Sequence, residues 1–258
     1  MQKLSYDDFK LEYRRYNIPI HTSAFAFIGN VWGHGKQGEM AAHFHNCMEI
    51  GYCYEGRGFG FIEDKKVAYK PGDICVIAPN TIHMFAAQEG MAGKWEWIMA
   101  DTGAALKGTR YEELGNDKRL LMDNPAADNI FPESEYPSLM RKVKMMLHLF
   151  HQSEVRANTI KGLLLSFLAE YAACQEEISD ETPRQPAQNK MIPVLVFIQE
   201  HYMEKITIQM LAEICALSEE QFRRVFKQVT HTPPLEYLNQ YRIKAACKLL
   251  LSTEMPIS

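Results

Sequence analysis

At Pro132 the hydrophobic pattern of the chain changes period, and that change excludes most of the folds open to 258 residues. Before it, from about Ser23 to Asp101, glycines, aromatics and short apolar alternations recur, the pattern of half-buried strands joined by tight turns. Phe59 to Ile62 and Val67 to Tyr69 flank the charged tip Glu63-Asp64-Lys65-Lys66. Pro71-Gly72-Asp73 then punctuates before the apolar run Ile74 to Ala78. This half predicts a meander of antiparallel strands in a barrel or sandwich. After Pro132, Tyr136 to Gln152 and Arg156 to Glu177 place apolar residues at helical intervals, with Gly and Pro nearly absent from their interiors. A sheet-forming half followed by helices is an α+β chain. The polar, double-proline stretch Ile178 to Asn189 has linker composition, so two domains are expected, residues 1–178 and 190–258.

Charge narrows the classes of partner. With 28 Lys+Arg against 32 Asp+Glu the formal charge is −4, too acidic for a polybasic binder of nucleic acid or lipid over its whole surface. Split at residue 189, the charge is −5 before and +1 after, so any attraction to polyanions belongs to the C-terminal part. The acidic start, Met1 to Phe9, lacks the apolar run of a secretory signal, and Gly162 to Ala173 is too short to span a bilayer; a cytoplasmic chain without membrane contact is expected. The six cysteines form no CxxC pair and read as reduced, mostly buried thiols.

Beyond residue 190 the spacing is specific. Met191, Val194, Leu195, Ile198 and Tyr202 share one face of a supporting helix. Thr207 can cap a short helix whose inner residues are Ile208, Leu211, Ala212 and Cys215. Ala216-Leu217 makes a turn, and Ser218 with Gln221 has the form of a capping box. In the helix that follows, Phe222, Val225, Phe226 and Val229 fall on the core side. Glu220, Arg223, Arg224 and Lys227 fall on the opposite one. A lone basic stripe is ordinarily a solvated face. Here a short helix, a tight turn and a capped second helix carrying long cationic side chains give the geometry that enters a DNA major groove, with Arg suited to guanine and Lys to phosphate. Pro233-Pro234 ends that helix, and another is expected from Leu235 to Leu251, with Leu238, Tyr241, Ala245 and Leu249 as its buried stripe.

The segment from Ile206-Thr207-Ile208 through Ser218-Glu219-Glu220-Gln221-Phe222-Arg223-Arg224 and Pro233-Pro234-Leu235 to Lys248-Leu249-Leu250-Leu251 closely resembles the DNA-binding domain of AraC/XylS-type transcription regulators. The resemblance implies that Glu220, Arg223 and Arg224 occupy base- and backbone-contacting positions of a first recognition helix. Two features depart from the pattern. His231 stands where the family usually has glycine, which suggests a less tightly turned exit from the helix. The chain reaches Ser258 where the family's second helix-turn-helix would begin, so weak DNA binding is expected unless the protein dimerises.

In the N-terminal half, His43, His45 and Glu49 are all odd-numbered and would share a strand face, with His83 supplied by a later segment. Three imidazoles and a carboxylate suit a first-row divalent metal; equally, such histidines can line a polar pocket. The runs Gly38 to Glu49 and Pro71 to His83 resemble the paired motifs of the cupin barrel, although Gly38 to His43 is one residue shorter than usual. By that resemblance His43, His45, Glu49 and His83 fill the metal-ligand positions. A cupin-like β-barrel, a helical pair and this helix-turn-helix together resemble the sugar-responsive AraC-type regulators. The build implies a small-molecule effector, with sugars as candidates, and a homodimer formed through the helices. It requires no cofactor and leaves a divalent metal in the barrel as an option. Trp32, Trp95, Trp97, Tyr52 and Phe61 read as barrel core, with Trp95 also a candidate for the effector pocket beside His43, His45, Glu49 and His83. Two further readings remain at this stage: a metal-dependent cupin enzyme using the same four residues, and a fragment acting as a non-DNA-binding dimerisation partner.

Overall fold

A computed structural model describes residues 11–34, 42–63, 65–88, 91–109, 129–152, 156–176 and 189–252, without the side chains of 30–34, 175–176, 189, 244 and 247–252. The chain forms two compact units, Arg14–Pro183 and, separately, Met1–Tyr13 with Arg184–Ser258. The expected linker from Ile178 to Gln188 lies outside the described residues, as do Gly38 to Ala41 and the side chains of Trp32 and Leu249.

The strands are β1 (Leu11–Arg14), β2 (Ala24–His34), β3 (Ala42–His45), β4 (Met48–Glu55), β5 (Gly58–Ile62), β6 (Lys65–Tyr69), β7 (Asp73–Ile77), β8 (His83–Ala87), β9 (Gly93–Ala100) and β10 (Ile130–Pro132). One sheet carries β3-β8-β5-β6 in that order, the other β10-β7-β4-β9-β2. Among the described residues the two sheets are not joined into a closed barrel, so the cupin-like domain is built as two layers. The expected hairpin is present: β5 and β6 pair antiparallel from Gly58 opposite Tyr69 to Ile62 opposite Lys65. Before β7, Gly72 adopts φ +89°, the left-handed conformation a type II turn requires after Pro71. The Lys70 amide donates to Asp73 Oδ2 at 2.9 Å and closes that turn.

Both faces of the second sheet are covered, which explains why β7 reads as an apolar run from Ile74 to Ile77, with every residue of the strand, Asp73 included, buried. Met48, Ile50, Ile74, Val76, Ile98 and Ala100 point to one side, against helices α2 (Pro137–Phe150) and α3 (Ala157–Glu176). The alternate residues Cys47, Cys53, Cys75, Ile77, Trp95, Trp97 and Met99 point to the other, with Ile62, Tyr69 and Phe85 of the first sheet. Gly51 faces Trp97 across the β4–β9 ladder, and a Cβ there would overlap the indole. On the helix side Glu96, 4 % exposed, accepts hydrogen bonds from the Gly29 amide, the Tyr54 hydroxyl and His151, which tie the end of α2 to the sheet. The short helix α1 (Thr102–Leu106) is capped by Asp101, whose Oδ1 accepts from the Ala104 amide at 2.9 Å.

The C-terminal unit contains α4 (Ile192–His201), α5 (Ile208–Ile214), α6 (Glu219–Thr230) and α7 (Pro234–Ser252). Val194, Leu195, Ile198, Leu211, Phe222 and Phe226 are fully buried, and each such side chain contributes roughly 1.5–3 kcal/mol. Val225 and Val229, expected in the core, are only half-buried. The core stripe of α6 runs narrowly along Phe222, Phe226 and Thr230. Thr207 accepts from the Met210 amide at 3.2 Å to start α5. Ser218 and Gln221 form a complete capping box at α6, with the Gln221 amide donating to Ser218 Oγ at 3.3 Å. Ser218→Ala should therefore cost about 1 kcal/mol of this unit's stability, read as a lower denaturation midpoint with an unchanged m-value.

Candidate effector site and nucleic-acid interface

The turn between α5 and α6 is fixed by backbone geometry. Ala216 adopts φ 54°, and the Leu217 amide donates to the Ala212 carbonyl at 3.0 Å. Beyond it, α6 turns Glu220, Arg223, Arg224 and Lys227 to solvent, while Phe222 and Phe226 on its other side are fully buried. Arg223 pairs with the exposed Glu219 at 3.6 Å, a pair that solvent screens to little net worth. His231 ends the helix in the left-handed conformation, φ 54°. The exit is thus made by a residue other than glycine in the conformation that glycine usually supplies, and the looser turn suggested by the sequence does not occur.

In the N-terminal unit, His43, His45, Glu49 and His83 converge, with one potential ligand atom from each lying within 4.8 Å of all the others. They arrive from two sheets. His43 and His45 lie on β3, and His83 begins β8 directly opposite His43. After His45 the chain bends at Asn46 and Cys47, and Glu49 enters from β4 in the other sheet. The side chains expected to share a strand face, His43, His45 and Glu49, do meet with His83, but through a different geometry, with Glu49 on the other sheet. His45, Glu49 and His83 are buried and His43 is half-buried.

Hydrogen bonding sets the chemistry of the cluster. His45 Nδ1 lies 2.9 Å from the Cys47 carbonyl, and His83 Nδ1 lies 2.9 Å from the Thr81 carbonyl. A carbonyl only accepts, so both Nδ1 atoms carry protons and both Nε2 atoms face inward. His45 Nε2 hydrogen-bonds Glu49 Oε2 at 3.0 Å, and His83 Nε2 lies 2.9 Å from the same oxygen without the orientation of a hydrogen bond. Metal bonds of about 2.0–2.2 Å set near right angles put neighbouring donor atoms about 3 Å apart, so the spacing suits ligands around one ion. Burial, the neighbouring His83 and Arg14 all hold the His43 imidazole well below its usual pKa, in the neutral form that can donate a lone pair. Burial opposes ionisation of Glu49, but His45 and His83 outweigh it and hold the carboxyl well below the usual range. The residues present therefore fit a divalent cation.

Sequence reasoning missed two neighbours of this cluster. The Tyr16 ring lies 5.7 Å from that of His45, and its backbone is clamped to Asn46: the Tyr16 amide donates to Asn46 Oδ1 at 2.8 Å, and Asn46 Nδ2 donates to the Tyr16 carbonyl at 3.0 Å. The charge of Arg14 acts to lower the pKa of both the Tyr16 phenol and the His43 imidazole. Burial pushes the Tyr16 phenol up to about 12, with the charge of Glu49 adding to the effect. No spacing signal ties these two residues to a site some thirty positions downstream. Trp95, expected at the effector pocket, is fully buried, stacked on Trp97 at 4.8 Å with edge contact to Tyr69.

Comparison with known proteins follows this division. An AraC-like ligand-binding domain matches residues 33–168, and a helix-turn-helix domain matches residues 211–258. The chain belongs to the AraC family. The uncharacterized HTH-type transcriptional regulator YbfI of Bacillus subtilis is 23% identical over 92% of this chain and 81% of its own length. YdeC of the same organism, also described as an uncharacterized HTH-type transcriptional regulator, is 20% identical over 96% and 84%. The HTH-type transcriptional activator RhaS of Escherichia coli is 19% identical over 86% and 78%. Similarity to a solved structure of an apo ToxT variant from Vibrio cholerae covers 88% of this chain and 99% of that one, at 12% identity and a TM-score of 0.40. This AraC-family protein is a DNA-binding transcription regulator with a ligand-binding domain. Among the described residues no helix is long and apolar enough to cross a membrane.

Proposed function

We propose that this regulator is cytoplasmic and homodimeric, that it reads DNA through Glu220, Arg223, Arg224 and Lys227, and that it senses a small molecule at His43, His45, Glu49 and His83. The observation that carries the sensing half is the convergence of those four side chains, with two Nε2 atoms turned inward by carbonyl-bound Nδ1 atoms, inside the AraC-like ligand-binding domain. His43, His45, Glu49 and His83 would hold a first-row divalent ion, which when bound supplies a Lewis-acidic anchor for oxygen donors of an effector. Cys47 and Tyr16 border the cluster, and Cys47 stays a thiol because burial and the charge of Glu49 push its pKa up. Effector binding shifts the DNA-binding behaviour only to the extent that the effector prefers one state of the protein over the other. Sugars are one candidate class, supported by the likeness to sugar-responsive regulators.

Elemental analysis of the full chain, purified without a histidine tag, tests the metal. About one equivalent of a divalent first-row ion is expected, with affinity reduced by at least about tenfold in Glu49→Gln and in His83→Ala. Absence of metal from the wild-type protein, after incubation with manganese, iron, cobalt, nickel and zinc in turn, defeats the metal assignment.

A further inference from the structure

Helix α6 is held in a closed frame, and one side chain closes it. Helix α4 ends at His201, and the turn that follows, Tyr202 to Ile206, leads into α5. The tip of that turn, Met203, is 81 % exposed, so apolar packing there holds nothing in place. Polar bonds do. The Glu204 amide donates to the His201 carbonyl at 2.8 Å, and Glu204 Oε1 lies 2.8 Å from His201 Nδ1. From α7, the half-buried Arg242 donates through Nε to the Tyr202 carbonyl at 2.7 Å and through Nη2 to the Glu204 carbonyl at 2.8 Å. Tyr202 caps the C-terminus of α4, where helical carbonyls lack partners along the chain and the helix dipole favours a cation. A rigid, permanently charged fork thus grips two carbonyls of one turn. Beside it the Tyr241 ring meets the Tyr202 ring edge-on at 5.2 Å.

The other sides of the frame run through α6. Helix α5 hands over to it through the left-handed Ala216, and the Phe226 ring of α6 meets Tyr237 of α7 edge-on at 5.4 Å. Tyr237 and Arg242 lie on one helix, about one and a half turns apart. We propose that Arg242 is a positioning residue for DNA reading: it ties α7 to the root of α5 and so fixes the direction in which α6 presents Glu220, Arg223, Arg224 and Lys227. The inference rests on α6 being the reader. A base edge is read only when the side chain arrives in the right place, whereas attraction to phosphate tolerates displacement. Loosening the clamp therefore costs discrimination more than attraction.

Anisotropy titration of the full chain, well below its melting temperature, with a DNA site selected in vitro and with a scrambled duplex of equal length tests this. Arg242→Met keeps the apolar stem and loses every donor; Arg242→Lys keeps the charge but not the fork. The ratio of specific to non-specific affinity should fall at least about tenfold in the Met variant, the scale of one charge-assisted hydrogen bond, and by a smaller factor in the Lys variant. In the Lys variant, which carries the wild-type charge, affinity for the scrambled duplex should stay that of the wild type. A merely stabilising role would lower the melting temperature and leave the ratio unchanged. That result overturns the proposal, as does an equal loss on both duplexes in the Lys variant, which would make Arg242 a phosphate contact. Because the Lys variant preserves the charge, its ratio decides the question even where the Met variant fails to fold. The double variant Arg223→Ala with Arg224→Ala, titrated alongside, separates the two ideas. If it keeps wild-type discrimination, α6 is not the reader; if it loses discrimination while both Arg242 variants keep it, only the assignment of Arg242 falls.

Discussion

Replacing Arg223 and Arg224 together with alanine is expected to weaken binding to a DNA site selected in vitro by about thirtyfold or more, since each arginine paired to a guanine edge is worth roughly 1–3 kcal/mol. Gel-shift or anisotropy titration of the full chain measures it. The melting temperature should hardly move, because both side chains are exposed and the Arg223–Glu219 pair is a solvated one. Loss of the two cations should also flatten the dependence of affinity on salt, by an amount set by how many phosphates they neutralise. A double variant that keeps both affinity and site preference would remove α6 from its role as reader.

The second large effect lies inside the sheets. Trp95 is fully buried, stacked on Trp97 with an interplanar angle of 10°, and packed by Tyr69 and Phe85 at 5.0 Å and 5.5 Å. Trp95→Ala should therefore destabilise the N-terminal unit by about 3–5 kcal/mol. In a unit of this size each kcal/mol moves the melting temperature by roughly 2–4 °C, so a drop near 10 °C is expected by differential scanning fluorimetry or calorimetry. Trp95→Phe should cost much less. A Trp95→Ala protein that melts normally but fails to bind effector would place the indole at the ligand and not in the core.

Local chemistry explains what could be read from the sequence. The capping box at Ser218 and Gln221, the short α5 and the turn before α6 follow from residues three or four apart, and the structure contains each of them. The hairpin around Glu63 to Lys66 and the buried run of β7 are similarly local. The four-residue cluster was legible as a set, but not as a geometry. Parity within one strand suggested it, whereas the chain bends at Asn46 and Cys47 and Glu49 belongs to the opposite sheet. Inward-facing positions stay odd-numbered on both sides of the bend, which is why the four side chains still meet although Glu49 belongs to the other sheet. Arg14 and Tyr16 were not legible, because their nearness to His43 and His45 is created by tertiary packing. The half-burial of Val225 and Val229 has the same origin: helical period names a face, and the neighbours packed against it decide how wide the buried strip becomes.

His43, His45 and His83 hang from one layer of the sandwich and Glu49 from the other. An ion held by all four would therefore fasten one layer to the other, and its binding energy would count towards the stability of the whole domain.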